Sequence, residues 1–130
     1  MASVLIVDDD STIRVLFEAI MEEFGYDVFT ASEGSKTLTM LETIRPDLLM
    51  IDLMMPGLNG AEVIREVRVF DQKVAIVVVT GSMDTKLVEQ AIEWGANQVL
   101  QKPLDTGKLS KVLSELDIDN DLSLEGSIGG

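Results

Sequence analysis

Asp8 and Asp9 follow the apolar run Val4-Leu5-Ile6-Val7, Asp52 follows Leu48-Leu49-Met50-Ile51, Thr80 closes the run from Val74, and Lys102 follows Val99-Leu100-Gln101. If those runs are neighbouring strands, carboxylates, a hydroxyl and one ammonium gather at one sheet edge. Such a set can hold a hard cation and present a carboxylate as nucleophile. Oxygen-only ligands suit Mg²⁺, with Mn²⁺ as a substitute. Histidine and cysteine are both absent. Zinc sites of the His/Cys kind and His-based catalytic pairs are thereby excluded, leaving carboxylates, Lys, Thr/Ser and a hard metal.

Each of these residues also has a plainer reading. Asp10 or Ser11 makes a good N-cap for a helix starting near Thr12, and acids there favour the helix dipole. Capping does not account for three adjacent aspartates. Asp52 precedes the turn-rich segment Leu53-Met54-Met55-Pro56-Gly57-Leu58-Asn59-Gly60 and reads alone as a loop acid. Thr80 alone reads as a helix N-cap, and Lys102 as a solvated side chain. Facing carboxylates, however, that lysine is a counter-charge: two unit charges about 4 Å apart interact by roughly 4 kcal/mol at an effective dielectric near 20.

The segments that must position these groups alternate regularly. Short apolar runs recur at 4–7, 27–30, 48–51, 74–79 and 98–100, with amphipathic stretches between them. Helical spacing appears in Ile13, Leu16, Phe17, Ile20 and Phe24; in Val63, Ile64 and Val67; in Leu87, Val88, Ala91 and Ile92; and in Leu109, Val112, Leu113 and Leu116. Residues 33–44 form a weaker helix on Leu38, Leu41 and Ile44. The nearly all-apolar runs at 48–51 and 74–79 are what strands covered on both faces require. Right-handed crossovers then give an α/β fold, a five-stranded parallel sheet that is doubly wound. In the 2-1-3-4-5 order, ligands bind between the carboxyl ends of the first and third strands, which here lead into Asp9 and Asp52. Periodicity alone does not supply that order.

The length of 130 residues fits one domain, read as 1–117, and residues 118–130 as an acidic, disordered tail. Twenty-three acids against 10 bases give a net charge of −13, which argues against a nucleic-acid surface. No secretory signal is visible, and no apolar stretch reaches the roughly 20 residues a membrane helix needs. A cytoplasmic protein without membrane insertion is expected.

In order and spacing, Val7-Asp8-Asp9, Asp52 with Met55-Pro56-Gly57-Leu58-Asn59-Gly60, Thr80-Gly81 and Lys102-Pro103 resemble the receiver domain of two-component response regulators. The resemblance covers about residues 3–116. It implies the flavodoxin-like 2-1-3-4-5 sheet and a phosphoryl group accepted on Asp52 from a histidine kinase or histidine phosphotransfer protein. It further implies Mg²⁺ on Asp9, Asp52 and the Met54 backbone carbonyl, with Asp8 acting mainly through a metal-bound water. Lys102 and Thr80 would meet phosphoryl oxygens. The family's switch couples Thr80 to a position here occupied by Val99, where an aromatic ring is frequent, and biases a face of the fourth helix, fifth strand and fifth helix toward a separate effector. A branched aliphatic side chain cannot swing as a ring does. Trp94 lies near and reads as partly buried packing. Met54 and Ser82 occupy places that influence phosphoryl lifetime in the family, where Ser82 could guide a hydrolytic water, but Ser82 reads more readily as a helix cap.

The implied protein is a stand-alone phosphoacceptor with self-catalysed transfer and autodephosphorylation, not a conventional enzyme, in the chemotaxis or phosphorelay manner. Two alternatives stay open. Asp8-Asp9-Asp10-Ser11-Thr12 also resembles the Asp-x-Asp-x-Thr motif of haloacid dehalogenase-like phosphatases, with Asp8 as nucleophile and Asp10 as acid/base. Against it stand the short chain and the lack of a late acidic pair beyond the lysine. The other is a receiver-shaped interaction module that turns over no phosphate.

Overall fold

The computed structural model describes residues 2–81 and 84–118. Among them, strands and helices alternate: β1 (Ser3–Val7), α1 (Ser11–Glu23), β2 (Asp27–Ala31), α2 (Thr37–Ile44), β3 (Leu48–Ile51), α3 (Gly60–Phe70), β4 (Ala75–Thr80), α4 (Thr85–Glu93), β5 (Gln98–Gln101) and α5 (Thr106–Leu116). The five strands pair in parallel in the order β2-β1-β3-β4-β5, which is the expected 2-1-3-4-5 sheet. β1 is thus paired on both sides, Val4 lying opposite both Val28 and Leu48.

Alternation along the inner strands sorts the core into two layers. Val4 and Ile6 of β1, Leu48 and Met50 of β3, and Val77 and Val79 of β4 pack with Phe17, Met21, Leu109 and Val112 from α1 and α5. Leu5, Val7, Leu49, Ile51, Ile76 and Val78 face the other way, onto Leu41, Val63, Ile64, Val67 and Ala91 of α2, α3 and α4. Helices therefore cover both faces, and this is why the inner strands read as unbroken apolar runs.

Side-chain caps start four of the helices: Asp10 for α1, Asn59 for α3, Asp84 for α4 and Asp105 for α5. Asp84, and not Thr80, therefore caps α4; Ser82 lies outside the described residues. The weak segment at 33–44 splits into a 3₁₀ turn, Gly34–Lys36, and the short α2, neither with a side-chain cap. The stripe expected on α1 also needs correction. Phe17 and Met21 are its buried residues, whereas Leu16 is 50% exposed. On α4, Ile92 similarly faces outward and Ala91 inward.

The turn after Asp52 folds back as a two-residue antiparallel ladder, Met54–Met55 against Leu58–Asn59, which composition had suggested only as a loop. Ile118 packs at the edge of the α1–α5 layer, while residues 119–130, most of the expected tail, lie outside the described residues. No helix among the described residues is long and apolar enough to cross a membrane.

Candidate functional site

Strand order converts distant positions into neighbours. Because β1 lies between β2 and β3, the residues following β1 and β3 meet at the carboxyl edge of the sheet: the Asp8 amide bonds Ala31 of β2, and the Asp52 amide bonds the Val7 carbonyl. β4 and β5 end at the same edge, where the Lys102 amide donates to the Thr80 carbonyl at 2.9 Å. Asp8, Asp52 and Thr80 are all buried there.

Lys102 Nζ donates to Asp8 Oδ2 at 2.7 Å and to Asp52 Oδ2 at 3.0 Å. The second oxygens are held by backbone: Asp10 N donates to Asp8 Oδ1 at 2.9 Å, and Met54 N to Asp52 Oδ1 at 3.2 Å. Two buried carboxylates thus share one ammonium. Burial pulls the Lys102 pKa down, but hydrogen bonds and charge from Asp8 and Asp52 outweigh it, so the group stands above the ordinary lysine value. Asp9 is exposed beside them. One oxygen each of Asp8, Asp9 and Asp52 lies within 4.8 Å of the other two, an oxygen-donor set that fits a hard divalent cation. Asp9 also borders an open cavity of about 400 Å³ lined by Ser32, Glu33, Met55 and Pro56.

Asp10 does not join this group, since its carboxylate accepts from Thr12 N and Ile13 N as the cap of α1. The triplet therefore divides into two site carboxylates and one cap. Val99 and Trp94 are half-buried against the layer beneath α4, and the Arg65 guanidinium lies 5.2 Å from the Trp94 ring centre.

Two contributors have roles that the sequence reading does not assign. Gly60 opens α3 directly beneath Asp52: a Cβ there would stand 2.6 Å from the Asp52 carbonyl oxygen and 2.7 Å from Leu53 Cα, so only glycine lets the helix start so close. Arg14, near the start of α1, donates from Nη1 to the Asp8 carbonyl at 2.8 Å. A cation near a helix N-terminus opposes the macrodipole, and that anomaly was the available signal.

The family model described as response regulator receiver domain matches residues 4–114. The chain belongs to this family. As a receiver domain, it is a signalling module of two-component systems. It is 30% identical over 106 residues to Sporulation initiation phosphotransferase F of Bacillus subtilis, a match covering 82% of this chain and 86% of that protein. To the DNA-binding response regulator MtrA of Mycobacterium tuberculosis it is 36% identical, over 82% of this chain and 46% of MtrA, so this receiver spans about half the length of such relatives. The receiver domain protein (CheY-like) of Methanospirillum hungatei superposes with a TM-score of 0.85 at 26% identity, covering 90% of this chain and 94% of that one.

Proposed function

We propose that this receiver accepts a phosphoryl group on Asp52 from a histidine kinase or histidine phosphotransfer protein and signals through protein contact. The observation that carries the reading is the shared ammonium, with Lys102 bonded to Asp52 on one side and Asp8 on the other. In the transfer, an Asp52 oxygen forms a bond to phosphorus as the bond from phosphorus to the donor atom breaks, and the donor leaves with that electron pair. The product is an acyl phosphate.

Asp8, Asp9, Asp52 and the Met54 carbonyl are the groups that would hold Mg²⁺, or Mn²⁺ in its place. When bound, the ion neutralises charge developing on phosphoryl oxygens. Lys102 supplies a cation toward one of those oxygens, and the Thr80 hydroxyl is assigned to another. Asp8, Asp9 and Asp52 outnumber Lys102 by three charges to one, so the metal-free pocket repels a phosphoryl dianion. Phosphorylation therefore requires a divalent cation.

Thr80 and Val99 are assigned to output through α4, β5 and α5, toward a separate effector protein. The net charge of −13 supports a protein partner over nucleic acid. The signalling unit is assigned to residues 1–117. The phosphatase reading has less support, since the acid/base it needs, Asp10, is engaged as a helix cap.

Intact mass after incubation with acetyl phosphate and Mg²⁺ tests the proposal. A single hydroxylamine-labile phosphoryl adduct, absent from Asp52→Asn and from samples in excess chelator, is expected. No adduct would leave the phosphate-independent module, and an adduct that persists in Asp52→Asn would move the chemistry to Asp8.

A further inference from the structure

The three carboxylates are not held equally well. Asp8 has both oxygens bonded, to Asp10 N and Lys102 Nζ, and Asp52 has both bonded, to Met54 N and Lys102 Nζ. Asp9 has no such restraint on its exposed side chain among the described hydrogen bonds, so its direction is set by the backbone on which it stands.

That backbone is the peptide joining Asp8 to Asp9. β2 ends at Ala31, whose carbonyl takes the Asp8 amide, and the Asp8 carbonyl accepts from Arg14 instead of from a continuing ladder. The half-buried guanidinium, reaching back from α1 at 2.8 Å, thus fixes the plane of the peptide that carries Asp9. The bond is charge-assisted and made by a rigid, planar donor, so it constrains orientation as well as distance.

We infer that Arg14 is a positioning residue of the acidic site: by pinning the Asp8 carbonyl, it holds the Asp9 carboxylate where it can join Asp8 and Asp52 around a divalent cation. The inference rests on the reading of that cluster as a cation site. It also makes a counter-intuitive statement about sign. As a bare charge, Arg14 repels a cation, so its removal should tighten binding. As a positioning residue, its removal should weaken binding.

Mg²⁺ titration of the metal-free protein by calorimetry, well below the unfolding temperature, separates the two. Arg14→Gln removes the charge and shortens the donor, and Arg14→Lys keeps the charge but loses the planar fork. Groups that orient metal ligands typically contribute about tenfold or more to affinity, and a rise of about tenfold in the Mg²⁺ dissociation constant is expected for Arg14→Gln, with a smaller rise for Arg14→Lys. Val112→Ala, a destabilising change in α5 remote from the site, should leave the constant unmoved, which distinguishes positioning from general loosening. Unchanged or tighter binding in Arg14→Gln overturns the proposal, and if that variant does not fold, unchanged binding in Arg14→Lys does so. Asp9→Asn isolates the underlying reading: if wild type binds Mg²⁺ and Asp9→Asn does not weaken it, or wild type does not bind at all, the cation site itself fails. Loss of binding in Asp9→Asn with none in the Arg14 variants rejects only the role of Arg14.

Discussion

Lys102 and Asp52 are joined by a hydrogen bond of 3.0 Å between Nζ and Oδ2, although 50 residues separate them in the chain. The same ammonium bonds Asp8 at 2.7 Å, and the two acids it serves are almost wholly buried. These bonds give the lysine a structural duty alongside any chemical one. Removing it strands two negative charges in a pocket of low polarity.

Lys102→Met is therefore expected to lower stability by about 3 kcal/mol in chelator at neutral pH, the scale for removing one partner of a buried ion pair. Added Mg²⁺ should recover part of the loss by supplying positive charge. Because the folded pKa of Lys102 is raised by Asp8 and Asp52, its stabilisation is fully present below the unfolded lysine value, about 10.4, and is lost as pH rises through the higher folded value. Denaturant melts of both proteins should differ by a constant amount from pH 7 to 9 and converge only in strong alkali. Convergence near neutrality would contradict this account.

Asp9 poses the opposite case, an exposed acid added to a cluster that already has more negative than positive charge. Asp9→Asn should stabilise the metal-free protein by about 0.5–1 kcal/mol through relieved repulsion, the scale of exposed charge pairs. In Mg²⁺ the order should reverse, since wild type gains about 2.7 kcal/mol at a free concentration 100 times its dissociation constant. Thermal melts with and without Mg²⁺ give both signs. A variant less stable than wild type in chelator would show that Asp9 is held by attraction.

The parts of this architecture that were legible beforehand share a physical cause. Strands buried on both faces have to be apolar throughout, so β3 and β4 stood out, and polar groups just past such strands had to lie at one sheet edge. Neighbour relations across the sheet were not legible in periodicity and came from the resemblance. On α1, Ile13, Val15, Leu16, Phe17, Ile20 and Met21 offer more apolar positions than one helix face can bury, and spacing could not tell that Met21 goes in and Leu16 out. Arg14 was missed, and Gly60 entered only as a letter of the motif, because their roles lie in contacts to backbone atoms of other segments, which leave no side-chain partner to search for.

Gly60→Ala tests the second of those contacts. Its methyl would collide with the Asp52 carbonyl and Leu53 Cα, which are backbone atoms that cannot rotate away, so either α3 or the end of β3 must shift. A stability loss of about 1–3 kcal/mol is expected from overpacking of this kind. Since the displaced carbonyl belongs to the proposed phosphoacceptor, adduct formation with acetyl phosphate should slow as well. Wild-type rates in a destabilised variant would separate the helix start from the geometry of Asp52.

Arg68 supplies the contrast, a strongly bonded arginine at the far end of the sheet. Its guanidinium donates to the carbonyls of Gly95 at 2.8 and 3.0 Å, Val74 at 2.6 Å and Asp71 at 3.3 Å, and to Asn97 Oδ1 at 3.0 Å. It fastens α3 to the segments that lead into β4 and β5, where Asn97 Oδ1 also accepts from Ile76 N. Burial lowers its pKa from the ordinary arginine value, and the nearby Asp71 charge partly offsets this. Arg68→Met should cost about 3 kcal/mol, the upper scale for hydrogen bonds from a charged donor, because several carbonyls lose their partner together. Asp8, Asp9, Asp52 and Lys102 lie at the opposite edge, so the folded variant should keep wild-type Mg²⁺ affinity and adduct yield. A fall in Mg²⁺ affinity at a temperature where Arg68→Met is fully folded would mean that the two edges of the sheet are coupled.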